Sequence, residues 1–215
     1  MTSTTIAIGT ITTIVSLFCW AIFFQGIGTM VRTIAKGQKI DSSRIFPIIP
    51  RIKTVVIEFA AHTRMAKFRT VGWAHWLVMV GFLLGFIFVF EAYGQAFNPH
   101  FHWPWLGTWG PYVLAEEVLG WATVIGGMTL VVIRQLNHPR VPERLSRFSG
   151  SNFRAAYFVE FVVVVEGLGM LGVKLFKIAS GIEHAPIWAS PTLHYIAMPF
   201  EGVPEWSASA MAVVK

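Results

Sequence analysis

Three strongly apolar stretches of this 215-residue chain are free of Asp, Glu, Lys and Arg, and they limit what it can fold into more than any other feature. The first reaches from Met1 to Val31, the second covers the twenty residues from Val71 to Phe90, and the third the sixteen from Val118 to Ile133. A hydrocarbon core about 30 Å thick takes about 20 helical residues to cross. In lipid every backbone N–H and C=O must be paired within its own segment, so runs of this kind are helices. Overall 13% of residues are charged and 54% are hydrophobic, about half the charge density of an ordinary soluble domain. The first run has no basic leader and no small-residue cleavage site after a short apolar stretch, so it is a retained helix rather than a signal peptide.

The expected fold is all-α: a polytopic transmembrane bundle with spans at about 6–31, 71–93, 112–133 and 155–176, and the start of a fifth at about 206. From Trp206 the chain turns apolar again and ends at Lys215. Ten residues cannot cross a bilayer, so residues 1–215 are expected to be the amino-terminal part of a longer protein. Between Arg51 and Arg69 an apolar stripe (Ile52, Val55, Val56, Phe59) set among basic residues predicts an amphipathic helix lying in the interface.

The net charge of +6 is unevenly placed. Nine of the 17 Lys and Arg lie from Arg32 to Arg69 and five from Arg134 to Arg154. Clusters beside apolar spans follow the positive-inside rule, which predicts a plasma-membrane protein with its amino terminus outside and both basic loops in the cytoplasm. The same charges would touch anionic lipid, and nucleic-acid binding is not expected. The single cysteine, Cys19, lies in the first span, which excludes an internal disulfide and any cysteine-built cluster from these residues.

His75 is the most informative side chain, because a titratable group inside a span is a functional candidate by default. It lies about four residues, ~6 Å, inside the cytoplasmic edge of the second span. An imidazole in an apolar bundle is an axial ligand for haem iron; the alternative is a structural histidine bonded to a neighbouring helix. Gly81 and Gly85 on the same span suit close helix packing and equally a flat porphyrin. Glu160 and Glu166 on the fourth span are either proton-relay or quinone-site groups, or partners of an arginine such as Arg154. His62 follows the apolar stripe of the interfacial helix, where it either faces a cofactor or simply sits in the interface. His100, His102, His184 and His194 fall in the outer loops and are expected to be solvated.

Several short stretches carry a resemblance. They are His62-Thr63-Arg64-Met65, Val71-Gly72-Trp73-Ala74-His75-Trp76, Phe90-Glu91-Ala92-Tyr93, Arg147-Phe148-Ser149-Gly150-Ser151, Tyr157-Phe158-Val159-Glu160 and Trp188-Ala189-Ser190-Pro191. In these the chain resembles the membrane domain of the respiratory nitrate reductase gamma subunit and of heterodisulfide-reductase-like iron–sulfur oxidoreductases. Closer still, it resembles the amino-terminal part of the actinobacterial membrane-bound oxidoreductases that take electrons from electron-transfer flavoprotein. The resemblance implies a five-helix cytochrome b domain in which the second and fifth helices supply haem histidines. The gamma subunit carries two such histidines ten residues apart on its second helix. His75 matches the first, and the second position falls at Gly85, which cannot ligate iron. One haem b on the cytoplasmic side is therefore implied, with its other ligand, and the cysteines of cytoplasmic iron–sulfur clusters, beyond Lys215.

The implied function is transfer of electrons from reduced electron-transfer flavoprotein through the clusters and haem b to menaquinone. A quinol-oxidising anchor subunit feeding a reductase is the first alternative; the missing outer ligand counts against it. A non-redox anchor or small transporter is the second, and the lack of internal repeats and of further buried charge counts against that.

Overall fold

The computed structural model describes residues 2–37, 46–140, 143–184 and 186–215; Lys39 and Arg44 of the first basic segment lie outside them. Among the described residues the chain is helical and has no strand. The order is α1 (Ser3–Ala35), α2 (Ile48–Ala60), α3 (Arg69–Phe97), α4 (Gly110–Leu136), α5 (Phe153–Ala179), α6 (Leu193–Ala197) and α7 (Trp206–Ala212), with short 3₁₀ turns between them. Four helices, α1, α3, α4 and α5, are long and apolar enough to cross a membrane. Each runs two to four residues past the expected limits of its span at either end.

These helices alternate in direction, which puts two kinds of connection at opposite ends. The basic segments and α2 lie at one end, called here the basic end. The loops 98–109 and 180–205 lie at the other, the loop end. The core is formed by α3, α4 and α5, with α7 entering from the loop end beside α1, α3 and α5. Small residues allow these approaches. At Gly120 and Gly167, α4 and α5 cross so closely that a Cβ on either would meet the other helix or its side chains within 3 Å. At Gly169 the added carbon would meet the backbone of Lys215 at 2.6 Å, so this glycine leaves the slot into which Val214 and Lys215 pack.

The outermost helix, α1, buries only Thr5 and Gly9 and exposes Ile11, Leu17, Phe18 and Ile22. A helix apolar on all sides and packed along a narrow seam suits lipid as its solvent. Its threonines bond backward into the helix, Thr12 to Ile8 O at 2.7 Å and Thr13 to Gly9 O at 2.8 Å, so their hydroxyls cost little in an apolar medium.

The interfacial helix differs from expectation. It ends at Ala60 rather than continuing to Arg69, and twelve of its thirteen residues are exposed, Glu58 being half-buried. The chain turns at His62, whose φ of +49° lies in the left-handed region. That conformation costs a non-glycine residue about 1 kcal/mol or more, and here it brings the imidazole back toward α3.

Candidate functional site

The left-handed turn places His62 against His75, in the second turn of α3. The rings are 5.1 Å apart between centroids, and His62 Nε2 lies 2.9 Å from His75 Nδ1. A second contact orders this one. His62 Nδ1 lies 2.8 Å from Phe59 O, and a carbonyl can only accept, so Nδ1 carries the proton. In the neutral imidazole Nε2 is then the acceptor, and His75 Nδ1–H donates to it. The chain of bonds from Phe59 O through His62 to His75 therefore leaves His75 Nε2 with its lone pair. Among the described residues that nitrogen makes no hydrogen bond. Trp76 fixes the same junction, its indole N–H donating to Ala60 O at 2.9 Å and capping α2.

His62 is buried and His75 is exposed, so the latter is not packed into the bundle as expected. It lines two clefts. One, of about 560 Å³, lies between α2 and α3 and is walled by Val55, Phe59, His62, Met65 and Met79. The other, of about 430 Å³, lies among α3, α4 and α5 and is walled by Val78, Leu130, Val159 and Val163, with Arg134 and Glu160 at its rim. Both are mainly apolar with a few polar groups, the usual composition of a cofactor or ligand site.

Glu160 faces the second cleft and pairs with Arg134 at 2.7 Å. Its partner is thus the last-turn arginine of α4, not Arg154. Antiparallel neighbours put the end of one helix beside the start of the next, and that signal was available in the sequence. Arg134 also lies over Phe148 and Tyr157. Glu160 Oε2 is buried and has no partner among the described residues. Glu166 is half-buried and makes no hydrogen bond or ion pair among them. Gly81 and Gly85 line neither cleft. Gly81 packs against Thr123 of α4, and a Cβ at Gly85 would sit 3.6 Å from Met170 of α5, so both serve helix packing.

The expectation of little further buried charge is overturned at the loop end. Glu91, Glu116, Glu117, Lys174, Lys177 and Lys215 are all buried. Glu117 accepts from Ser190 Oγ, Thr192 N and Oγ1 and Leu193 N, and lies 3.4 Å from Lys174 Nζ. Lys174 also donates to Val113 O and Ala189 O. Lys215 pairs with Glu116 at 2.7 Å and donates to Gln95. Tyr112 donates to Glu91 at 2.7 Å. Windowed hydropathy hides all of these groups but Lys215 because each sits in an otherwise apolar helix. The clue was their position, since four of them fall inside the expected spans. Of the loop histidines, His100, His102 and His184 are exposed as expected and His194 is half-buried.

No protein-family model matches the chain, and no curated protein or solved structure is significantly similar to it.

Proposed function

We propose that this chain is the membrane part of a respiratory oxidoreductase, a cytochrome b-like bundle of the nitrate reductase gamma type, in which His75 is an axial ligand of haem b. The observation that carries the reading is the fixed tautomer of the His62–His75 pair, which leaves an sp² nitrogen lone pair at the wall of two apolar clefts.

The donor set suits a macrocycle better than a bare ion. Among the described residues no three His, Cys, Asp or Glu side chains are grouped to hold a metal. A porphyrin brings four equatorial nitrogens of its own and asks the protein for axial ligands only. Arg134, at the rim of the cleft beside His75, is a cation suited to a carboxylate-bearing group. When bound, the haem would supply one-electron redox chemistry. The chain's residues would do the rest. His75 would hold the iron, His62 would orient the ring and raise its basicity as a partner outside the ligand shell does, and Val78, Leu130 and Val163 would exclude water.

In this reading electrons arrive from reduced electron-transfer flavoprotein by way of iron–sulfur clusters and leave on menaquinone. The basic end faces the cytoplasm of a plasma-membrane protein, as its lysines and arginines favour. Glu160 and Glu166 are the carboxylates on α5 available to move protons for quinone chemistry. Rapid mixing of the full-length protein tests the route. Reduced flavoprotein should reduce the haem and a menaquinone analogue should reoxidise it. Reduction by quinol alone would favour the anchor-subunit alternative.

A second reading keeps some weight on one observation. The charges buried at the loop end remove one of the two arguments against a non-redox anchor or small transporter.

A further inference from the structure

The loop end contains a cavity that the haem reading does not use. It has a volume of about 370 Å³ and is lined by His100, His102, Lys177, Glu183 and His184, with Gly107 and Gly110 in its wall. Glu183 stands between this cavity and the buried charges beneath it. Its backbone N–H donates to Lys177 O at 3.1 Å, folding the segment after α5 back over the helix end. Its Oε1 is fully buried and has no hydrogen-bond partner among the described residues.

Charge balance gives that orphan oxygen a meaning. Below the cavity lie the carboxyls of Glu91, Glu116 and Glu117, and with Glu183 they outnumber the ammonium groups of Lys174, Lys177 and Lys215 by one. Each of the other carboxyls has a donor: Tyr112 for Glu91, Lys215 for Glu116, and Ser190, Thr192 and Leu193 for Glu117. An uncompensated buried charge is costly and the group neutralises instead. Of these four carboxyls, Glu183 is the one with a buried oxygen that lacks a donor among the described residues, and it is the one that lines the cavity.

We propose that Glu183 is a proton-exchange site, through which the buried charge cluster gains and loses one proton at the loop face. The proton leaves by breaking the Glu183 O–H bond and forming a bond to water or to an imidazole nitrogen of His100, His102 or His184, and no redox partner is needed. Burial raises the Glu183 carboxyl to about 7, helped by the negative Glu116 and Glu91 and opposed by Lys177 and Lys174. The group is thus poised to exchange near neutral pH. This holds whether or not His75 binds haem.

Infrared difference spectra of the full-length protein, recorded against pH, read the group directly. The carbonyl stretch of a protonated carboxylic acid should fade with a midpoint near pH 7 and be lost in Glu183→Gln. Absence of any such band in the wild type, or its survival unchanged in the variant, overturns the proposal. A second measurement needs no variant. Dicyclohexylcarbodiimide adds only to protonated carboxyls, so peptide mapping should find it on Glu183 below neutral pH and progressively less above. A Glu183 left unlabelled throughout would also overturn it.

Discussion

The two ends of the bundle treat polar side chains in opposite ways. At the loop end Glu117 alone accepts four hydrogen bonds and faces a lysine, and it is buried with Glu91, Glu116, Lys174, Lys177 and Lys215, leaving Glu183 as the carboxyl that reaches the cavity. At the basic end His75 is exposed, holds one hydrogen bond and borders two open clefts. Carboxylates and lysines paired in this way keep one geometry. An imidazole fixed at one nitrogen and open at the other is prepared to take a ligand. The loop end is built to hold the helices in place, and the basic end to receive something.

Substitutions should separate the two ends. Glu117→Ala leaves Lys174 buried without its carboxylate and should cost about 3–5 kcal/mol, read as a large fall in the unfolding midpoint of the detergent-solubilised protein. A loss under 1 kcal/mol would mean the network is not what holds that end. His62→Ala should cost less stability, about 1–3 kcal/mol for its two hydrogen bonds, to Phe59 O and from His75. It should weaken haem binding by about 10–100-fold, the usual effect of losing a ligand's supporting partner, measured by titration with the cofactor. An equal loss of stability and no loss of haem would make the pair a structural clasp.

Titration gives a third contrast. The Glu183 carboxyl is raised from 4.5 to about 7 in the folded protein, so the native state binds this proton more tightly than the unfolded chain. Its contribution is fully present below about pH 4.5 and is lost as pH rises through 7. The unfolding midpoint should fall over that window, and Glu183→Gln should flatten the fall. The smallest effect belongs to the exposed Arg64–Glu58 pair at 3.3 Å, where Arg64→Ala should change stability by no more than about 0.5 kcal/mol.

Much of the fold was legible because charge is excluded from lipid. The uncharged runs located α1, α3 and α4, and the apolar stretch between Ala155 and Phe176 located α5. The limits fell short because helices continue past the apolar stretch into the interface, as α3 does through Glu91 and Gln95 to Phe97. His75 was legible as a titratable group in a span. Its pairing with His62 was not, since it depends on a left-handed turn at a histidine, which no local pattern announces. The loop-end network was hidden for another reason. Glu116, Glu117 and Lys174 find their partners more than twenty residues away in sequence or through loop backbone, and only the packing of α5, the segment from Ala189 to Leu193 and Lys215 against α4 brings those together.

The central claim is that His75 binds haem iron. The most direct measurement is the reduced-minus-oxidised visible spectrum of the purified full-length protein beside that of a folded His75→Ala variant. The account expects b-type bands in the wild type and their loss or severe weakening in the variant. A wild type without those bands after reconstitution with haem, or a variant with the same bands at full intensity, would contradict it.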